Sequence, residues 1–385
     1  MIMSWLEQRF PIKRFLKQHL YSYMVPKTLN FWYVFGLLAL VFVITQFISG
    51  FCLLMFYEPS VTAAFHSIQQ IMRDIPAGWF IRYLHTTGAS FIFLVLYLHI
   101  FRGFLYGSYR APREFVWVLG VLLYLLMLLE AFLGYVLPWG QMSYWGAEVL
   151  TAALDGIPYI GHGLKLWVRG AEEVGQPLLQ RFYAFHILAL PFMLFILIKC
   201  HVIAIRCVGS SEPIELDRPS PKIPFYPHHV VKELRPLMIG LLLFFAVLFF
   251  YPQGGGLVIE SLNYVAANPL QTPASIHPPW YIGPFFTILR SLPSLGLGLL
   301  MTFFGLVLIC FLPLLDRGQT RLLQAKPLKF KLMFSLFCLN FIWMGYLSWH
   351  ELTPLSLCLS RVSCGIYFAF YALFPWLTQE RMHAS

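Results

Sequence analysis

The sequence predicts an all-α integral membrane protein with eight transmembrane helices, the first four forming a bundle around two matched histidine pairs. Three observations carry that prediction. Hydrophobic residues make up 59% of the 385 positions and charged residues only 11%, whereas a soluble domain carries roughly 25% charge. The apolar residues fall into eight runs, each long enough to cross a hydrocarbon core of ~30 Å as a helix. Four histidines recur inside two of those runs, where an ionisable side chain is costly and marks function. The net charge of +10 would admit a nucleic-acid partner. Its distribution argues against one, because lysine and arginine sit in short clusters between apolar runs, as membrane topology requires.

Residues 1–29 alternate Trp5, Leu6, Phe10, Phe15 and Leu16 with Arg9, Lys13, Arg14 and Lys17. That pattern is no signal peptide and predicts an amphipathic helix lying on the membrane surface. The predicted spans are Phe31–Tyr57, Trp79–Leu105, Phe115–Val136, Leu178–Ile205, Val230–Tyr251, Leu295–Leu315, Leu328–Trp349 and Leu357–Leu377. The N-terminal segment and the even-numbered connections, with Arg381, hold 19 of the 27 lysines and arginines, which places both termini on the cytoplasmic-like side. Two long connections on the opposite side, Pro138 to Pro177 and Pro252 to about Ser294, are rich in Gly, Pro and aromatics. Long structured loops of this kind are usually functional. The chain thus divides into a surface helix (1–29), a four-helix bundle (30–208), a cytoplasmic-side linker (209–236) and a second four-helix part (237–385). The seven cysteines form neither C-x-x-C nor C-x-x-C-H, so no zinc, thioredoxin or c-type haem site is indicated.

His85 and His99 lie 14 residues apart, and His186 and His201 lie 15 apart. At 100° and 1.5 Å per residue, each pair returns to within about 40–60° of one helix face and is separated by roughly 21–22 Å along the axis. Two such helices side by side make two facing couples stacked across the membrane. Facing neutral imidazoles are an axial ligand set for a haem iron. Taken singly, each histidine is more simply a satisfied core residue, and the matched spans reverse that reading. Gly36 and Gly50 in the first span, and Gly120 and Gly134 in the third, repeat the same interval of 14. Glycines also ease helix packing, but a flat macrocycle wedged between helices would require this interval.

Beyond these spacings, several segments carry a family resemblance: Asn30-Phe31-Trp32, Arg82-Tyr83-Leu84-His85, Phe101-Arg102-Gly103, Gly134-Tyr135-Val136-Leu137-Pro138-Trp139-Gly140-Gln141-Met142-Ser143, Trp145-Gly146-Ala147, Arg181-Phe182-Tyr183-Ala184-Phe185-His186 and Leu289-Arg290-Ser291. On these segments the chain resembles the diheme cytochrome b of quinol–cytochrome c reductases over essentially its full length. The resemblance implies two non-covalent b haems in the first four helices. His85 and His186 would ligate the outer, low-potential one, and His99 and His201 the inner, high-potential one. It further implies that Arg82 and Arg102 pair with haem propionates, and that Gln46 and Trp117 lie near a haem. Quinol would be oxidised in an outer pocket formed near Trp145, Gly146, Ile276, Pro278, Pro279, Trp280, Tyr281 and Phe285. Quinone would be reduced at an inner site near Trp32, Arg206, Ser210, Lys232 and Glu233. The implied partners are a Rieske iron–sulfur protein, cytochrome c1 or another c-type cytochrome, quinone, membrane lipid and a second copy of the complex, with no nucleic acid.

The chain departs from the family pattern at four places. The second histidine interval is 15, as in the cytochrome b6 branch, and a kink at Pro191 would absorb the extra residue. Val34 stands where that branch attaches a third haem through cysteine, and the chain is not split after the fourth helix. The outer loop reads Pro278-Pro279-Trp280-Tyr281 where much of the family has Pro-Glu-Trp-Tyr, so the carboxylate expected to take a quinol proton is absent. A base is still required, and Glu130, Glu148 and His277 are the expected replacements, Glu130 first. At the inner site Arg206 stands where mitochondrial-type relatives have histidine, and Lys232-Glu233 replaces a Lys-Asp pair. The b6-like features point to a bacterial plasma membrane, although the mitochondrial inner membrane shares the same physics. The competing readings are a fused b6f-like cytochrome b, a haem-binding anchor with impaired quinol oxidation, and a transporter with incidental histidines. Broken helices and internal repeats would mark the last, and neither is evident.

Overall fold

The computed structural model describes residues 2–9, 11–212, 220–318 and 326–379. Phe10, Arg381, the middle of the 209–236 connection and the side chains of Leu6 and Phe15 lie outside what is described. Among the described residues, eight helices are long and apolar enough to cross a membrane. They are α1 (Phe31–Leu54), α2 (Gly78–Leu105), α3 (Glu114–Val136), α4 (Gln176–Val208), α5 (Phe225–Phe250), α6 (Leu295–Leu315), α7 (Leu328–Leu347) and α8 (Pro354–Thr378). Each overlays an expected span. Pro11, which has no N–H to continue a helix, separates two short N-terminal helices, Ile2–Arg9 and Ile12–Leu16. The expected surface helix is therefore two pieces.

Local chemistry sets several ends. The Asn30 side chain accepts the Trp32 N–H at 3.2 Å and opens α1. Thr353 and Ser356 form a reciprocal capping box, which starts α8 at Pro354, three residues before the expected Leu357. The largest local surprise lies in α4. Residues Phe185–Ala189 form a π-helical turn, and Pro191 sits in the first turn of the regular helix that follows. A π turn inserts one residue into a helix. The 15-residue histidine interval thus acts as a 14-residue one, through this turn rather than through a kink at Pro191.

Packing joins the two halves tightly. Phe93, Tyr97 and Phe104 of α2 and Trp117, Val121 and Tyr124 of α3 share one buried cluster with Phe334, Phe337, Tyr367, Phe370 and Phe374 of α7 and α8. Phe337 stacks on Phe370 at 4.3 Å, and such aromatic pairs contribute about 1 kcal/mol beyond area. Phe244 and Leu248 of α5 pack on Phe42 of α1 and Ile92 of α2. In lipid, apolar side chains gain little from leaving solvent, so shape complementarity of this kind holds the helices together.

The two long outer connections interlock. Trp139 adopts φ +53°, an uncommon left-handed conformation for a bulky residue. It turns the chain so that Gln141 N–H donates to Val265 O (2.9 Å) and Ala267 N–H to Trp139 O (3.1 Å). The Ser143 N–H donates to Asn263 Oδ1 at 2.9 Å. On the other side, strand β1 (Met24–Pro26) pairs antiparallel with β2 (Lys222–Pro224), tying the N-terminal segment to the linker. There too, Asp316 accepts from Arg110 Nε (2.7 Å), Arg110 Nη2 (2.8 Å) and Tyr109 Oη (2.6 Å). Burial alone would raise the Asp316 pKa, but these donors outweigh it and hold the carboxyl below its usual range.

Candidate functional site

The helix register brings His85 of α2 and His186 of α4 face to face, with ring centroids 6.3 Å apart and planes 87° to each other. That separation admits one metal ion bonded at about 2 Å to each ring. The Nδ1 atoms are already engaged. His85 Nδ1 lies 2.9 Å from Ser49 Oγ, whose own proton goes to Thr45 O at 2.7 Å, so Ser49 is the acceptor. His186 Nδ1 lies 3.0 Å from the Glu130 carbonyl oxygen and 3.0 Å from its Oε1. Both rings therefore present Nε2 to the space between them. An outer hydrogen bond that fixes the tautomer is the usual support of a metal-binding imidazole.

The glycine repeat pairs with the histidines one for one. A Cβ added at Gly36 would lie 3.3 Å from His99 Cε1, at Gly50 3.1 Å from His85 Cε1, at Gly120 3.2 Å from His201 Cε1, and at Gly134 2.4 Å from His186 Cε1. The missing side chains make room for the imidazole rings themselves. Gly88, which sequence reasoning passed over, clears Gln46 Nε2 in the same way at 2.1 Å.

A cavity of about 320 Å³ surrounds the outer couple. It is bordered by Gln46, Gly50, Arg82, His85, Glu130, Gly134, Tyr135 and His186, and on its far wall by Glu260, Asn263, Pro279 and Tyr281. Its donors fit a haem with acidic side arms: Arg82 borders it, and Gln46 Nε2 is buried without a hydrogen-bond partner. At the inner couple, Arg102 lies with Nη2 3.3 Å from His99 Nδ1, its guanidinium 4.5 Å over the Tyr33 ring and its Nε buried without a partner. The Trp117 ring packs on Phe104 and Tyr109, and its N–H donates to Ile309 O at 2.8 Å.

With this geometry established, comparison with known proteins is decisive. The family model described as "Cytochrome b/b6/petB" matches residues 20–209, and "Cytochrome b(C-terminal)/b6/petD" matches residues 266–368. The chain belongs to the cytochrome b family. It is 42% identical to a cytochrome b of Allochromatium vinosum, covering 97% of this chain and 94% of the relative. It is 39% identical to a cytochrome b of Rickettsia prowazekii, covering 97% and 92%. Among solved structures, a chain of a hyperthermophilic respiratory Complex III superposes with a TM-score of 0.90 at 35% identity, covering 97% of this chain and 98% of that one.

Within this cytochrome b architecture, the outer-loop residues fall into two groups. Pro279 and Tyr281 reach the cavity. Tyr281 stacks on Phe93 at 4.0 Å, Tyr97 donates to its carbonyl, and burial raises its pKa. Trp280 donates to Ser90 Oγ at 3.3 Å, Phe285 packs on Phe341, and the buried Trp145 Nε1 has no hydrogen-bond partner. Gly146 lies against Tyr135. Ile276, Pro278, Trp280, Phe285, Trp145 and Gly146 do not border the cavity.

The three expected bases are placed differently. Glu130 faces His186, as above. Glu148 is ion-paired at 2.7 Å with Arg169, whose side chain also donates to Thr151 Oγ1 at 2.8 Å. His277 bonds Ser275 Oγ at 2.8 Å and stacks on Trp349, with burial and then Arg290 lowering its pKa.

At the inner end, Lys232 donates to Lys27 O (3.2 Å) and Leu29 O, while Glu233 lies 3.2 Å from His229 Nε2. The Arg206 guanidinium sits 4.7 Å over Tyr23. The Ser210 carbonyl accepts from Arg113 Nη2 at 3.0 Å, and Trp32 is exposed beside Phe35. Of these groups, Lys232 and Arg206 lie against residues flanking the β1–β2 ribbon.

Proposed function

We propose that this cytochrome b is the membrane subunit of a bc1-type quinol–cytochrome c oxidoreductase. It oxidises quinol at an outer site and reduces quinone at an inner site, and the two half-reactions together move protons across the membrane. The observation that carries this reading is the His85–His186 couple, set at metal-bridging distance with both Nδ1 atoms engaged and a glycine opposite each ring. His85 and His186 would hold the outer b haem, and His99 and His201 the inner one. Bound there, the two haems supply one-electron carriage between the membrane faces.

The chain supplies the rest. Arg82 and Arg102, neither ion-paired to a carboxylate among the described residues, would receive propionates. Trp32, Arg206, Ser210, Lys232 and Glu233 would line the quinone-reducing site, where the planar guanidinium would hold an oxygen by its fixed N–H donors. The buried Pro279–Tyr281 loop closes the outer cavity against water. A Rieske iron–sulfur protein and a c-type cytochrome would complete the complex, in a bacterial plasma membrane with both chain termini on the cytoplasmic side.

Reduced-minus-oxidised spectra of the purified complex test the reading. Two b-type signals of different midpoint potential, with quinol oxidation blocked by an outer-site inhibitor, are expected. One signal or none would overturn it, and two signals without quinol oxidation would leave only the inert anchor.

A further inference from the structure

The missing carboxylate at Pro279 leaves the outer cavity in need of a base, and the structure supplies one that the sequence did not advertise. Glu260 lies on the connection between α5 and α6, 8% exposed, on the same cavity wall as Pro279 and Tyr281. Its Oε2 accepts from Tyr135 Oη at 3.2 Å and stands 3.5 Å from Asn263 Nδ2. Asn263 is itself locked to Ser143, so the two interlocked outer connections fix the carboxyl in place.

The expected alternatives are otherwise engaged. Glu148 is neutralised by Arg169 and does not border the cavity, and His277 is stacked on Trp349 outside it. Glu130 borders the cavity but directs Oε1 at His186.

We propose that Glu260 is the proton acceptor for quinol oxidised at the Pro279–Tyr281 end of this cavity, beside the haem that His85 and His186 would hold. In that step, which rests on the proposed function, the quinol O–H bond breaks and its proton forms the O–H of the Glu260 carboxyl. The electron passes to a one-electron acceptor of the iron–sulfur or haem class. Glu260 then returns the proton to water on the outer side.

Its ionisation suits the task. Burial, partly offset by its own backbone N–H and the Tyr135 hydroxyl, pushes the Glu260 pKa up to about 7. A base is most effective when its pKa lies near the working pH. The other titratable groups around it are Tyr135 of α3 and Tyr281 of the loop. Arg82, Glu130 and His186 border the same cavity from α2, α3 and α4.

The test is Glu260→Gln in the assembled complex, with a short-chain quinol as electron donor and the inner site inhibited. We expect both b-haem signals to persist, and kcat for quinol-driven haem reduction to fall about 10²-fold with little change in KM. Glu260→Asp should restore part of the rate. Tyr135→Phe, which removes a donor to the ionised carboxyl, should move the pH midpoint of the rate upward. If Glu260→Gln loses its haem signals, the Tyr135→Phe profile decides alone, and an unmoved midpoint overturns the proposal. A Glu260→Gln rate and pH profile within twofold of wild type also overturns it, as does loss of the step in Glu130→Gln or Glu148→Gln but not in Glu260→Gln. A wild-type complex that oxidises no quinol would instead overturn the proposed function.

Discussion

The outer and inner ends of the histidine bundle share one backbone plan and differ in what surrounds the rings. At the outer end each Nδ1 meets an acceptor, Ser49 Oγ for His85 and the Glu130 oxygens for His186. At the inner end His99 meets the Arg102 guanidinium, while His201 lies against the Val116 backbone. Acceptors on the far nitrogen make an imidazole more electron-rich and favour ferric iron. A fixed cation beside the ring favours the less positive ferrous state. With haems held at both couples, the Arg102 charge would bias an electron to run from the outer couple to the inner one, the direction that quinol oxidation outside would require.

The largest expected break of this comparison comes from the glycines. Gly134→Val places carbon within 2.4 Å of His186 Cε1 and should abolish the outer, low-potential b signal. Gly36→Val, where the first carbon would lie 3.3 Å from His99 Cε1, should leave more of the inner signal than Gly134→Val leaves of the outer. Potentiometric titration of both variants separates the two. Loss of the inner signal alone from Gly134→Val would refute the pairing of glycines with rings.

Next comes pH. A carboxyl whose folded pKa is raised to about 7 is protonated below that value and then cannot accept a proton. Quinol oxidation should therefore fall about tenfold per unit of pH below 7, measured as initial haem reduction in stopped flow. A flat profile down to pH 5 would contradict the assignment of Glu260.

The two ends also differ in how the halves are joined, by backbone interlock outside and by the Arg110–Asp316 pair inside. The Asp316 side chain is only 2% exposed. Asp316→Asn removes the buried charge that Arg110 pairs with and should cost about 3 kcal/mol, seen as a lower unfolding midpoint of the complex with both haem potentials unmoved.

Smallest are the potentials themselves. Glu130→Leu should raise the outer midpoint and Arg102→Leu should lower the inner one. Each shift should be on the order of 60 mV, a tenfold change in a one-electron equilibrium. Shifts of the same sign would show that the surroundings do not set the direction.

Period and composition made much of this legible. The eight spans needed only apolar run length, and the histidine couples needed only the angle per residue, because both are properties of a single helix. Glu260 was invisible for the opposite reason. It sits on an aperiodic connection, and its neighbours Tyr135 and Pro279 reach it by tertiary folding, so no local spacing announces it. Glu148 showed the same limit, since Arg169 lies on the next helical segment of its loop. Glu130 was legible as a buried carboxyl one turn before Gly134. That its oxygen faces His186 depends on how α3 and α4 dock, which the sequence of either helix alone does not contain.

The π turn at Phe185–Ala189 has a last consequence, for how such a chain tolerates changes in length. The helix holds one residue of slack between its two ligands. Deleting Leu188 can be absorbed by tightening that turn to ordinary helix, leaving both rings on their faces. Deleting Phe195 as well, in a chain already lacking Leu188, finds no slack left and swings His201 by about 100°. The single and the double deletion should therefore give opposite spectra, one with both b signals and one lacking the inner.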